Sequence, residues 1–488
     1  MKNIFVKIVC FSLATSLFVA CQKEKLDPVS PVFVLEKDAF STPSRILSQV
    51  YGLYDAAKTG NFLGSRLLTF SDIRGEEFLN RTNNGVTGLS TWNQTFFNGT
   101  NEVNYIWGAG YAAINRCNVF IEGLNANASV LNNATLAKQY EAEARFVRAL
   151  CYMYLVNTYC RPYADGNGDK RGLPLRLKAE VDLANNDLAP STVAQVYDQI
   201  LADLNFAETN LVLTYGASAA LLNTTRAHRN TAIALKTRVY LAMQRWNDVI
   251  TEANKIVSTA APFRTSTGVS HQLISDVRAV FASPYTTAES IFSFPMSDVD
   301  QPGTQNSMAL YWAPSPVGNG EYTLNRVNGI ISDSTNFRVE DARRRNFVTV
   351  SGGLPYLGGK FAVGPINTDY VPIIRYAEVL LNLSEAITRS TNTVDTRALA
   401  LLNAIHGRSD AGVVYTAANI TTATDMITAL LRERRIELLG EGFRAFDITR
   451  NLLPFPAKGT APAVLPSASI YVYPIPNTEL ATNKLMTP

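Results

Sequence analysis

Histidine is scarce in this chain: His228, His271 and His406 are the only three among 488 residues. They stand far apart, and none falls in a His-x-x-x-His or Cys-x-x-Cys spacing. That argues against a transition-metal centre, and no cofactor is expected. Cysteine is nearly as rare, with five residues. Cys10 lies in an N-terminal apolar run and Cys21 just behind it, which leaves Cys117, Cys151 and Cys160 for the folded body. Cys151 and Cys160 fall on one helical pattern about nine residues apart, roughly 13 Å along the axis and beyond disulfide reach. No disulfide framework is expected. Excess charge is missing too. Lys plus Arg number 44 against 41 Asp plus Glu, a net +3, and the densest basic run is Arg343-Arg344-Arg345. A nucleic-acid-binding footprint is therefore absent. No phosphate loop, nucleophile elbow, zinc helix or dinucleotide fingerprint occurs in a supporting context.

Long apolar runs are absent except at the start. Residues 8–19 are mostly apolar and follow Lys2 and Lys7, a secretory layout too short for the roughly 20 residues of a membrane-spanning helix. Leu17-Phe18-Val19-Ala20-Cys21 resembles the bacterial lipobox. The resemblance implies a signal peptide over residues 1–20 and acylation of Cys21. The polar, Pro-containing stretch that follows reads as a tether, so residues 21–40 form the lipidated N-terminus and its linker.

What is present is ordinary globular material, 47% hydrophobic and 17% charged, enough for a large core. Helical periodicity predicts helices over residues 44–54, 104–123, 137–159, 395–408 and 424–439. Another begins at Ser191 or Thr192, either of which can cap it. Residues 228–243 and 246–258 read as a helix pair jointed at Gln244-Arg245. Residues 370–390 read as a helix after Pro372. The stretches 58–100 and 262–370 read as loop-rich, with 289–295 alternating like a short strand.

Residues 430–451 carry Leu430, Leu431, Ile436, Leu438 and Leu439 at helical spacing, with charges of alternating sign between them. Residues three and four apart face each other on a helix. Glu433 is thus expected to meet Glu437 and Arg434, and Glu441 to meet Arg444. Gly440 and Gly442 end or bend the helix. The nearby arginines keep Glu437, Glu441 and Asp447 ionised rather than poised for proton transfer, which favours a structural ion-pair network over catalysis.

The run E-R-R-I-E-L-L-G-E-G-F-R-A-F-D-I-T-R at 433–450 resembles the C-terminal signature of the SusD/RagB family, surface lipoproteins of Bacteroidetes nutrient-uptake systems. E-A-R-F-x-R-A at 143–149 matches the same pattern. So do Arg375, Ala377-Glu378, Leu380-Leu381-Asn382 and Glu385-Ala386, and the Asp341-x-Arg343 element, which is read as structural. The resemblance implies a mainly α fold, a degenerate tetratricopeptide-like helical scaffold with a loop-rich, partly extended ligand-binding region. Residues 41–260 would form its N-terminal helical part with binding loops, and residues 261–488 a C-terminal part packed against it as one globular body. It implies a non-enzymatic, lipid-anchored outer-membrane protein facing the cell exterior, which captures an oligosaccharide or polysaccharide and passes it to a SusC-like TonB-dependent barrel.

Sugars are held by aromatic faces and by amide, acid and arginine groups that meet their hydroxyls. Trp92 and Trp312 lie in loop-like stretches among such groups and are the expected binding tryptophans, with Tyr311, Asn93, Asp72 and Arg74 beside them. Trp107 and Trp246 lie in helical patterns and are assigned to the core. Three alternatives stand beside this reading. One is peptide capture, as in RagB-like members. Another is a glycosidase using Asp72, Glu76 or Glu77, since such enzymes work with two carboxylates. The last is a purely structural adaptor.

Overall fold

The structure is a computed structural model that describes residues 38–362 and 368–487. The signal peptide, Cys21 and most of the tether lie outside the described residues. The first helix, α1 (Pro43–Ala57), starts where Thr42 accepts the Arg45 N–H and a proline occupies the first turn, a pairing that sets a helix start. The stretch expected to be loop contains α2 (Arg66–Arg74), β1 (Phe78–Asn80) and α3 (Leu89–Asn93). Two helices of 26 residues follow, α4 (Asn101–Ala126) and α5 (Ala134–Tyr159). Thr192 is the cap of α6 (Val193–Asn210), exchanging hydrogen bonds with Gln195. A short α7 (Ala220–Thr225) precedes the pair α8 (Arg229–Ala242) and α9 (Trp246–Ala253). Gln244 turns their joint in the left-handed region at φ 57°.

Helices stack in sequence: α1 on α4 and α5, α4 on α5, α5 on α6, α6 on α8, and α8 on α9. Buried ion pairs clip the stack at the E-A-R-F-x-R-A stretch. Arg148 holds Asp203 of α6 at 2.7 Å, and Glu143 holds Arg226 at 2.6 Å.

The irregular half supplies β2 (Ser290–Phe294), α10 (Met308–Trp312), β3 (Tyr322–Leu324), α11 (Ala342–Phe347), β4 (Thr349–Ser351) and β5 (Leu354–Tyr356). The expected helix at 370–390 is corrected at its start. Val371–Arg375 is a strand, β6, antiparallel to β2, and α12 (Tyr376–Thr391) begins only after it. Three β-branched residues within five positions favour the extended form there. Both strands are buried along their whole length, so β2 lacks the half-exposed face its alternation suggested. The chain ends with α13 (Thr396–Ser409), α14 (Ala423–Glu437), α15 (Arg444–Arg450) and α16 (Asn477–Thr482). Helix α12 packs on α8, α9, α13 and α14. The architecture is mainly helical, and the two halves interlock where β1 pairs with β3 and α2 packs on α15.

The 430–451 stretch makes most of its ion pairs between elements, Arg450 with Asp447 at 2.8 Å being a pair along one helix. Glu437 meets Arg343 at 2.8 Å, Arg375 at 2.9 Å and Arg408 at 2.6 Å. Arg375 also reaches Glu289 and Glu441, each at 2.7 Å, and Lys360 reaches Glu441 at 2.6 Å. Arg434 holds Asp447 at 2.9 Å, and Arg450 holds Glu385 at 2.7 Å. Arg444 pairs with Glu76 at 2.6 Å instead of Glu441. Gly440 (φ 82°) and Gly442 (φ 87°) turn the backbone through the left-handed region between α14 and α15, so the helical spacing that would join Glu441 to Arg444 is broken.

The free Cys117, Cys151 and Cys160 are buried. His228 and His271 stack at 5.4 Å, each with one ring nitrogen on a backbone carbonyl at 3.1 Å. Burial pushes His228 down to about 3, helped by His271 beside it, and His271 to about 4. Both rings stay neutral in the fold, and their ring-proton NMR signals are expected not to titrate between about pH 8 and pH 5. Because the folded values lie below the unfolded one, the stability this pair contributes is complete above about pH 6.5 and is lost as pH falls toward 4. Titration of either signal near pH 6.5 would contradict the burial.

Candidate functional site

The residues expected to bind sugar are largely turned inward. Trp92 is 6% exposed and donates its indole N–H to the Phe78 carbonyl at 2.8 Å. Trp312 is fully buried, stacked on Phe78 at 4.2 Å. Tyr311 is also buried and donates its hydroxyl to the Gln305 carbonyl at 2.9 Å. Their aromatic faces are thus spent on the β1–β3 ribbon, which has few residues of its own to make a core. Arg74 is buried over Phe455 at 4.2 Å and Phe96 at 5.1 Å, donating to the Ile470 carbonyl; burial pushes its guanidinium down to about 10. Asn93 is the partly exposed member of the set.

Asp72 accepts the backbone N–H groups of Gly442 and Arg444, each at 2.9 Å, and so ties α2 to the α14–α15 turn. Burial pushes it up to about 7, against the pull of those two donors. Glu76 pairs with Arg444 at 2.6 Å and Arg435 at 3.0 Å; Glu77 pairs with Arg435 and accepts the Ile330 N–H, both at 2.6 Å. All three carboxylates are buried and engaged, and the cavity that Asp72 and Glu77 line measures about 10 Å³, too small for the sugar and water that glycosidase chemistry places between two carboxylates.

An open cleft of about 120 Å³ lies instead between the start of α2, the turn at Gly85 and Val86, and the first turns of α4. Asn61 and Arg66 form one wall, and Asn101, Glu102 and Tyr105 the other. Tyr105 is 48% exposed, one helical turn beyond the exposed Asn101. Arg66 is 8% exposed and donates to the Asn61 amide oxygen at 2.5 Å. Its Nε–H meets no acceptor, while its charge acts on Glu102 and the guanidinium bonds the Tyr311 hydroxyl. Glu102 turns away from the cleft's open side. It accepts the N–H groups of Ser90 at 3.1 Å and Thr91 at 2.8 Å, together with the Thr91 hydroxyl. Burial raises its pKa against those bonds. Thr100 stands at the start of α4 but spends its hydroxyl on the Phe97 N–H at 2.9 Å, leaving the helix without a side-chain cap.

Helical periodicity carried one usable signal for this cleft. Ile106, Trp107, Gly110 and Ile114 are buried on α4 while Tyr105 falls on the opposite, solvent face. A larger cleft of about 360 Å³ on the other flank of α4 has Trp107 and Tyr111 against Arg176 and Glu479. Its polar groups already satisfy one another: Trp107 donates to Glu479 at 3.2 Å, Arg176 holds Glu180 at 2.6 Å, and Tyr111 donates to the Pro174 carbonyl at 2.9 Å.

The fold is a mainly helical stack with a cleft on each flank of α4. Residues 29–241 match the family model described as starch-binding associating with outer membrane, and residues 359–463 match that of the SusD family. A SusD superfamily protein of Bacteroides fragilis is 33% identical, with 92% of this chain and 100% of that chain covered at a TM-score of 0.81. The chain therefore belongs to the SusD/RagB family. A Bacteroides thetaiotaomicron member shares the fold at 21% identity and a TM-score of 0.79, covering 91% of this chain and 99% of that one. A laminarin-binding SusD-like protein does so at 18% and 0.71, covering 91% and 98%. A SusD-like protein of Formosa agariphila is 22% identical over 262 residues; the match spans 52% of this chain and 45% of that relative. No helix among the described residues is long and apolar enough to cross a membrane.

Proposed function

We propose that this protein is a lipid-anchored surface protein that captures oligosaccharide in the cleft at the start of α4 and delivers it to a SusC-like TonB-dependent barrel. The observation that carries the reading is the exposed Tyr105 ring beside the planar polar groups of Asn61, Arg66 and Asn101 in one open cleft. A flat ring and planar hydrogen-bonding groups are the two features a pyranose needs. Membership of a family whose description names starch binding and the outer membrane supports it. A laminarin binder of the same fold supports it too. The protein performs no catalysis in this reading, and the outer helical surface faces the barrel.

The described chain begins near Phe40, which packs on Phe120 of α4 at 5.9 Å. Tyr105 lies on the same helix some 15 residues earlier, about 22 Å along the axis.

Tyr105→Ala is expected to weaken oligosaccharide binding about tenfold by calorimetry, with the melting temperature nearly unchanged because the ring is half exposed. Unchanged affinity would move the site elsewhere. Saturable binding of a peptide pool with no oligosaccharide response would replace this reading with peptide capture.

A further inference from the structure

A second pocket lies behind the cleft at the start of α4, and we infer that it binds a short-chain organic carboxylate, with the anionic end on Arg74 and the alkyl tail against the apolar side chains of α2, α4, α5 and α15. The two cavities share a wall, since Phe70 and Ile106 line both. This ligand is independent of the oligosaccharide proposed above.

The pocket measures about 50 Å³, room for roughly four water-sized groups at about 10–15 Å³ each. That size excludes an oligosaccharide and admits a small organic acid. Leu67, Phe70, Ile106, Met153, Phe443 and Phe446 make most of the wall. Ser71, Asn157, Thr158 and Ala445 also line it and are partly exposed, which gives the pocket a mouth at the surface.

Two guanidiniums reach this wall, and they differ in what they already hold. Arg238 bonds both oxygens of Glu378, at 2.6 and 2.7 Å, and the Ile373 carbonyl at 2.6 Å. Arg74 is 5% exposed, and both its hydrogen bonds leave from Nη2, to the Ile470 carbonyl at 2.8 Å and the Gln94 amide oxygen at 3.5 Å. Its Nε–H meets no acceptor. Burial lowers its pKa, opposed by the phenols of Tyr473 and Tyr471 and by no carboxylate. The rings of Phe455, Phe96 and Tyr473 lie at 4.2, 5.1 and 5.7 Å from the guanidinium carbon. Ring faces replace a carboxylate only in part, so the cation keeps an affinity for a charged acceptor.

A second cation adds to the excess. Lys458 is 2% exposed and donates to the Arg74 carbonyl at 2.9 Å. Burial and the Arg74 charge push it down to about 7, against the pull of Glu76. Among small anions the wall selects a carboxylate. Its planar oxygens match the N–H groups of a guanidinium, and an alkyl tail covers apolar surface that sulfate or chloride would leave without a partner.

The test is calorimetry on the full mature chain with acetate, propionate and butyrate, with propionamide as the uncharged isostere and sodium sulfate as the apolar-free anion, all at one ionic strength. At least one carboxylate is expected to bind with a Kd on the order of 1 mM or below, and about tenfold or more tighter than propionamide or sulfate. Arg74→Gln is expected to weaken that binding about tenfold or more. Ala445→Leu keeps Arg74 and fills the mouth of the pocket. It is expected to abolish binding at a melting temperature close to that of the wild type, so the test stands even where Arg74→Gln folds poorly.

No binding of any of the three carboxylates overturns the inference, as does an affinity that survives both substitutions. Propionamide binding as tightly as propionate shows that the charge of Arg74 is not used, and overturns it too. Sulfate binding as tightly as the best carboxylate overturns it in favour of an unselective anion site. Carboxylate binding in a protein that binds no glycan defeats the oligosaccharide reading and leaves this pocket standing.

Discussion

Replacing Glu437 by glutamine is expected to destabilise the protein by about 3–5 kcal/mol, or to prevent its recovery as a folded chain. Glu437 is buried against Arg343, Arg375 and Arg408, which reach it from α11, the end of β6 and α13. Removing its charge leaves three buried guanidiniums short of counter-charge. Those arginines hold the Glu437 carboxyl well below the usual carboxylate range. The measurement is the urea midpoint at constant slope. The surface pair Arg278 and Asp276 is the control, with both side chains about half exposed. Arg278→Gln is expected to leave the midpoint where it is. Equal, small shifts for both variants would show that the buried network does not hold the fold together.

A second buried cluster, Glu385 with Arg450 and Asp447, sets part of the response to acid. Arg450 holds Glu385 down to about 2. A carboxyl whose folded value is depressed stabilises the fold fully above its unfolded value, near 4.3, and loses that contribution as pH falls toward 2. That window lies mostly below the one in which the buried histidines act, so the two contributions are separable in an acid titration.

Trp312→Ala is the second large effect, an expected loss of about 3–5 kcal/mol in stability. The side chain is fully buried, stacked on Phe78 and 6.0 Å from Tyr322. Truncation opens a cavity where the β1–β3 ribbon meets the helices. Its signature separates the two roles a tryptophan can play. As a core residue it lowers the unfolding midpoint strongly, while ligand affinity of the folded fraction changes less than with Tyr105→Ala. A Trp312→Ala variant as stable as wild type that no longer bound glycan would restore Trp312 to the ligand site.

The comparison of Trp312 with Tyr105 shows where sequence reasoning reached its limit. Trp312 sits among Gly, Pro and Ser, a composition that reads as an exposed loop, yet the ribbon made by residues 78–80 and 322–324 closes over it. That pairing joins strands more than 240 residues apart, and no local pattern encodes it. Tyr105 sits in a helical pattern, which reads as scaffold, yet it occupies the solvent face beside a wall supplied by α2.

Other features were settled locally. The starts of α1 and α6 follow from Thr42 and Thr192, whose hydroxyls accept N–H groups three residues on. The left-handed turn at Gly440 and Gly442 follows from glycine itself. The helical scaffold, its caps and the family signature were therefore carried by the chain's own short-range chemistry. That the charges of residues 430–451 would form a structural network also followed, because so many arginines beside those acids leave no poised proton. Which arginine meets which acid, which tryptophans are core, and where the open cleft lies were decided only by tertiary structure. Ion pairing, ring stacking and unmet hydrogen bonds act across distances in space that the spacing of residues along the chain does not record.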